Sequence, residues 1–304
     1  MVDGWIILDK PLELGSTQGV AAVKRNLREA GLGKVKVGHG GTLDPLATGV
    51  LPIAVGEATK LCGRMLDASK EYAFTVRFGE ETDTLDLEGK VVASSAVRPP
   101  LAALQSALGE FLGPIEQVPP TYSALMIEGQ RAYDRARAGE DFAMPTRSVT
   151  IRALTLEARE GADDALEAAT LVADVSKGTY IRSLARDIAR ALGTVGHVTM
   201  LRRLRAGPFG LRQAISLDKL NEVGKGAPLE RVLLPLEAGL VDIPALDLDP
   251  EQARAVRQGR VLTGLPCNDG LFWARLGRVP VALVEISGGS LTVARGFNLT
   301  DVAE

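Results

Sequence analysis

The segment GHGGTLDPLATGVLP, from Gly38 to Pro52, gathers four glycines, two prolines, His39 and a single carboxylate, Asp44, between two apolar runs. Gly38, Gly40, Gly41 and Gly49 open backbone conformations that other residues avoid. Pro45 drives Asp44 away from the helical region. An aspartate fixed in this way, between two apolar strands, can be aimed at a substrate. The plain alternative is a turn residue, as Asp-Pro often is. Glycine-rich loops also cradle phosphates, but neither GxGxxG nor GxxxxGK[ST] occurs in this one. Elsewhere the reactive side chains are sparse. His39 and His197 are the only histidines, and Cys62 and Cys267 the only cysteines. Their scatter argues against a His/Cys zinc cluster. Two distant cysteines point to reduced thiols and a cytoplasmic setting, not a disulfide framework.

The elements that must hold Asp44 are readable on either side. GWIILDKP is a buried strand ended by Pro11, and STQGVAAVKRNLREAG a helix that Ser16 or Thr17 caps and Gly31 stops. VLPIAVG reads as a second buried strand and EATKLCGRMLDAS as a helix. KEYAFTVRFG alternates, with Tyr72, Phe74, Val76 and Phe78 on one face. SALMIEG reads as a strand before a helix from QRAYDRARAG, and SVTIRALTLEA and EAATLVADVS as neighbouring strands. GTYIRSLARDIARALG is the clearest helix: Ile181, Leu184, Ala185, Ile188 and Leu192 form its apolar stripe, and Arg182, Arg186 and Arg190 a basic ridge. HVTMLRRLRAGPF is a further strand. From about Pro244 the texture shifts to short strands separated by Gly- and Pro-containing turns.

Strands and helices without regular βαβ alternation predict an α+β fold: a mixed, mainly antiparallel sheet flanked by helices. A small β-rich domain follows, dividing the chain at 1–243 and 244–304. The 304 residues, 46% hydrophobic and 24% charged, suit such a pair. A net charge of −3 argues against a uniform basic coat. Local patches remain: Lys24, Arg25, Arg28, Lys34 and Lys36, with Arg202, Arg203 and Arg205, are candidates for phosphate contacts. No apolar run approaches the ~18 residues of a membrane span, and MVDGWIILDKP is too short and acidic for a signal peptide.

GHGGTLDPLATGVLPIAVGEATK resembles the signature of the TruB family of bacterial tRNA pseudouridine synthases. WIILDKPLELGST, KEYAFTVRFGEETDTLDLEG, PPTYSALMIEGQRAY, VSKGTYIRSLARDIARALG and HVTMLRRLRAGPF resemble further family blocks in the same order, so the likeness covers most of residues 4 to 218. The C-terminal part is more loosely similar to a small RNA-binding domain of the PUA type. The resemblance implies isomerisation of uridine-55 in the T loop of tRNA on a flipped-out base, with Asp44 as the catalytic carboxylate. It implies that Tyr72 stacks on the uracil, that Arg182 pairs with Asp44, that Tyr180 lines the pocket, that His39 enters the T loop beside the extruded base, and that Leu201 walls the uracil. No redox change occurs and no group is imported, so no cofactor or metal is implied; the T arm of tRNA is the expected partner of a monomer. For each residue a structural role competes: a core tyrosine, a solvated helix arginine, a satisfied loop histidine, a core leucine.

Two other functions compete. A glycoside-type hydrolase would use Asp44 with Asp83 or Asp86 on the N-glycosidic bond. An RNA-binding or tRNA-folding factor would need the grip on the T arm and not the carboxylate.

Overall fold

The computed structural model describes residues 2–299. In chain order the first elements are β1 (Gly4–Lys10), α1 (Ser16–Glu29), β2 (Val37–His39), β3 (Ala47–Val55), α2 (Cys62–Asp67), β4 (Lys70–Phe78) and the hairpin of β5 (Glu80–Thr82) and β6 (Val91–Ser94). Then come α3 (Leu101–Leu108), β7 (Gly113–Gln117), the two-residue strands β8 (Met126–Ile127) and β9 (Gln130–Arg131), α4 (Ala132–Arg137), β10 (Arg147–Ala162) and β11 (Ala165–Val175). They are followed by α5 (Ile181–Ala191), β12 (Gly196–Ala206), β13 (Phe209–Gly210) and α6 (Leu217–Gly224). The last group is β14 (Ala245–Asp247), α7 (Pro250–Arg257), β15 (Leu262–Thr263), β16 (Gly270–Leu276), β17 (Val279–Ser287) and β18 (Ser290–Gly296).

A nine-stranded sheet runs β1-β3-β12-β4-β11-β10-β7, with β2 on β3 and β13 on β12. Its strand pairs are antiparallel apart from the short parallel contact of β12 with β3, which sets Leu201 opposite Ala47 and Arg203 opposite Gly49. The fold class is therefore the expected mixed, mainly antiparallel α+β arrangement. A separate five-stranded sheet, β14-β16-β17-β18-β15, is built from the C-terminal residues.

Burial explains the apolar runs. β1 and β3 are covered on both faces: Ile6, Leu8, Leu51 and Ile53 pack under α1 and α6, while Trp5, Ile7, Val50 and Ala54 face Phe209, Leu236 and Leu240. Leu283 and Phe297 join that second cluster and seat the small sheet on the large one. The stripe Ile181, Leu184, Ala185 and Ile188 of α5 packs on Phe74, Val76 and Phe78, as the 3.6- and 2-residue periods require. Among the described residues no helix is long and apolar enough to cross a membrane.

Several local expectations change. Residues 56–61 form a 3-10 turn, and only Cys62–Asp67 are α-helical. The strand expected in SALMIEG shrinks to the β8–β9 pair. Gly15, not Ser16, occupies the N-cap of α1, because the Ser16 hydroxyl is used elsewhere. The arginines of α5 do not form one solvated ridge: Arg182 is 6% exposed, Arg186 is half-buried and pairs with Asp187, and only Arg190 is exposed, where it pairs with Glu81. Spacing by four brings side chains to one side of a helix but does not say whether that side meets water.

Candidate active site

Asp44 stands in the connection from β2 to β3. Gly41, at φ +138°, begins it in a conformation that side chains resist. The carbonyls from Gly41 to Pro45 are each held by a donor, and the donors come from several elements. Arg203 Nη2 donates to Gly41 O at 3.1 Å and Nη1 to Thr42 O at 3.2 Å. Ser16 Oγ donates to Leu43 O at 3.0 Å and accepts from Leu43 N–H at 2.8 Å. Ala47 N–H donates to Asp44 O at 3.0 Å. Pro45 O accepts from Lys10 Nζ at 3.1 Å and from Glu13 N–H at 2.9 Å. Leu43 is buried and plugs the loop into the core beneath α1. The Asp44 side chain remains 42% exposed, so the backbone is fixed while the carboxylate stays reachable.

Three buried cations lie under this loop. Lys10, fully buried, also donates to Pro11 O and Leu14 O; burial lowers its ammonium from the usual 10.5 to about 8, against the raising charge of Asp44. Lys70 donates to Met65 O, Leu66 O and Ala68 O, and is likewise brought to about 8, by burial and the charge of Arg203. Arg203 is 1% exposed, and its third bond runs to Val50 O at 2.7 Å. It therefore cannot reach a phosphate. That corrects the expected basic set: Arg202 is paired with Asp9, Arg205 with Asp174, and only Lys24, Arg25, Arg28, Lys34 and Lys36 are exposed. Gly49, at φ +99°, is needed where β3 passes Arg203, because a Cβ there would lie 2.2 Å from Arg203 O.

Opposite Asp44 stands Arg182, on the first turn of α5. Its Nη2 lies 2.9 Å from Asp44 Oδ2 and its Nη1 3.4 Å from Asp86 Oδ2. The same nitrogens donate to Thr84 O at 2.9 Å and Tyr122 O at 3.2 Å. A planar fork held at four points aims the guanidinium, which a lysine could not reproduce. Asp86 is buried, and its other oxygen accepts from the Thr84 hydroxyl at 2.6 Å and Glu88 N–H at 3.0 Å. Glu88 stands nearby with its carboxyl raised by burial and by the charges of Asp86 and Asp44.

Asp44 and Arg182 share a cavity of about 200 Å³ with Tyr72, Tyr180, Leu201, Thr42 and Ser123. A wider groove of about 590 Å³ leads from them past Asp86, Tyr122 and Tyr133 to Arg131 and Arg137. Four of the expected site residues, Tyr72, Tyr180, Arg182 and Leu201, thus meet around Asp44. Tyr180 caps α5, its backbone clamped by the buried Gln117, which accepts from Tyr180 N–H at 2.8 Å and donates to Tyr180 O at 3.1 Å. His39 is not brought to the cavity wall. It ends β2, and its Nδ1 accepts from Gly41 N–H at 3.4 Å. Burial, with the charge of Arg203 second, lowers its imidazole below the usual range. Gln117, the loop-holding role of Arg203 and the donor role of Ser16 escape the sequence reading; Lys10 appears there only within the block WIILDKPLELGST. Among the described residues no three His, Cys, Asp or Glu side chains gather as a metal ion would require.

Residues 28–181 match the family described as TruB family pseudouridylate synthase (N terminal domain), and residues 182–241 match the tRNA pseudouridylate synthase B C-terminal domain. The second match stops before β14. The chain is 80% identical over 304 residues to tRNA pseudouridine synthase B of Novosphingobium aromaticivorans, covering 100% of both proteins. It is 57% identical over 295 residues to the protein of that name from Zymomonas mobilis, covering 97% of this chain and 96% of that one. Among solved structures it is similar to "Crystal Structure of a Cbf5-Nop10-Gar1 Complex", with TM-score 0.73, 27% identity, and 97% and 84% of the two chains covered. It is also similar to "Structure of H/ACA RNP bound to a substrate RNA containing 2'-deoxyuridine", with TM-score 0.73, 25% identity, and 98% and 86% covered.

Proposed function

The chain belongs to the TruB family of pseudouridylate synthases, which makes it an isomerase, and we propose that it converts uridine-55 in the T loop of tRNA to pseudouridine at Asp44. A tRNA substrate follows from the family and from its tRNA pseudouridine synthase B relatives. The target position rests on the resemblance of the GHGGTLDPLATGVLPIAVGEATK block. The observation that carries the role of Asp44 is its reachable carboxylate, set 2.9 Å from a buried guanidinium on the wall of a cavity that also holds Tyr72, Tyr180 and Leu201.

The reaction breaks the C1′–N1 bond, turns the uracil and forms C1′–C5; N1 gains a proton and the C5 proton is lost to water. A stacked base hides its glycosidic bond, so the nucleotide is extruded first, at a cost of a few kcal/mol. Asp44 then acts by one of two routes, covalent attack or removal of a ribose proton towards a glycal. In both, Arg182 orients the carboxylate and offsets its charge. Tyr72 stacks on the extruded uracil, with Leu201 and Tyr180 closing the walls. His39 stands at the base of the loop, where the T loop would pass.

Asp86 disfavours the hydrolase reading. It is buried, with one oxygen beside Arg182 and the other accepting from Thr84 and Glu88, so it is already committed to holding the site together. The small sheet from residue 244 onward supplies, on this reading, a second RNA-binding surface, and the enzyme works as a cytoplasmic monomer. The test uses T-arm RNA tritiated at C5 of the target uridine, without added metal or nucleotide. Wild type releases tritium, whereas Asp44→Asn binds the RNA and releases none. Release of free uracil would favour the hydrolase, and tight binding without release by wild type would favour an RNA-binding factor.

A further inference from the structure

Three buried side-chain atoms among the described residues have no protein hydrogen-bond partner: Arg64 Nε, Glu81 Oε2 and Ser123 Oγ. The first two belong to groups already served through another atom, Arg64 by Asp242 and Glu81 by Arg190. Ser123 differs, because Oγ is its only polar side-chain atom. The residue is 4% exposed and lines both the cavity and the groove that contain Asp44 and Arg182. Its backbone is fully engaged: its N–H donates to Thr121 O and its carbonyl accepts from Tyr133 N–H, both at 3.0 Å. The preceding carbonyl, Tyr122 O, accepts from Arg182. The segment is therefore pinned to the guanidinium that faces Asp44, and one hydroxyl on it is left idle. An idle buried hydroxyl is destabilising and uncommon in native proteins. It is explained when a ligand completes it.

We propose that Ser123 Oγ donates a hydrogen bond to a carbonyl oxygen on the polar edge of the target uracil and holds the base while it turns. This rests on the reading of the Asp44 cavity as the uridine site. A hydroxyl both donates and accepts. The uracil edge presents O2, N3–H and O4, an acceptor–donor–acceptor row that is symmetric about the line through N3 and C6. Turning the ring about that line to bring C5 to C1′ exchanges O2 and O4 and leaves the row unchanged. One hydroxyl therefore serves the base before and after the turn, once the Ser123 side chain rotates about χ1 to present Oγ to the cavity. Asp44 and Arg182 act at the sugar side; Ser123 acts at the opposite edge of the detached ring.

The experiment compares the full-length wild type with Ser123→Ala in single-turnover tritium release from the T-arm RNA, alongside thermal melting and RNA affinity. Loss of one neutral hydrogen bond to the base lowers the release rate about five- to tenfold, while RNA affinity changes by less than about twofold, since phosphates carry most of the binding. The melting temperature stays level or rises, because the substitution removes an unmet buried hydroxyl. On RNA with 2,4-dithiouridine at the target, whose sulfurs accept weakly, Ser123→Ala has a smaller effect than on uridine. An unchanged rate, an equal loss on both RNAs, or a rate loss matched by a fall in melting temperature would each overturn the contact. No release by wild type would instead remove the uridine reading on which it stands.

Discussion

Replacing Arg203 by methionine should slow the reaction without removing any group from the cavity that holds Asp44. Methionine matches the stem of the arginine but donates nothing, so Gly41 O, Thr42 O and Val50 O lose their donor. A buried carbonyl left unmet costs about 1–3 kcal/mol. Part of that is offset because a guanidinium, 1% exposed in the wild type, no longer has to be stripped of water. A net destabilisation of about 3 kcal/mol follows, below the usual 5–15 kcal/mol stability of a folded protein, so the variant folds. Its melting temperature should fall by about 5 °C. Two of the three freed carbonyls lie just before Leu43 and Asp44. A displacement of the carboxylate by about 1 Å lowers a rate on the order of a hundredfold. Single-turnover tritium release, measured well below the melting transition, should show that loss with RNA affinity within a few-fold of wild type. A lower melting temperature with a wild-type rate would refute the reasoning: the carbonyl clamp would then serve stability alone.

Two further outcomes follow from the buried cations and the tight strand crossing. Lys10 has its folded-state value depressed from 10.5 to about 8, so between those values the unfolded chain binds more protons than the folded one. Stability should rise with pH across that window; the denaturation midpoint of wild type relative to Lys10→Met should increase from about pH 8 towards pH 10, and a flat or falling difference would contradict the assignment. Gly49→Ala forces a side chain into φ +99° with its Cβ 2.2 Å from Arg203 O. A loss of about 3 kcal/mol or more is expected, read as a lower melting temperature or as recovery of the protein in the insoluble fraction.

Much of the scaffold follows from pattern alone. The alternation of KEYAFTVRF and the stripe of GTYIRSLARDIARALG each fix which residues face the core, and the structure packs those faces together. Asp44 is legible as a position, because the glycine-rich connection between apolar strands singles it out; the role proposed for it comes from the family resemblance, since a turn residue would fit the same pattern. The arginines are not legible. Arg202, Arg203 and Arg205 look alike in sequence, yet one is buried and two are paired, because β12 shifts register against β4 between Arg203 and Arg205. A bulge of this kind is decided by the partner strand, not by the strand's own composition. Gln117 is similarly silent: its role depends on Tyr180, 63 residues away in the chain.

The loop that carries Asp44 draws its donors from 27 residues away at Ser16, 35 at Lys10 and 161 at Arg203. Closing contacts of such separation is slow, because their loop entropy is lost before the contacts are complete. During synthesis the aspartate is made early, while Arg182 and Arg203 emerge only after most of the large sheet has been translated. A partly made chain therefore displays the GHGGTLDP segment without the geometry that gives it reactivity. On the proposed reading, the site at Asp44 is complete only once β12 has joined β3 and β4, since Arg203 on β12 holds the carbonyls of Gly41 and Thr42.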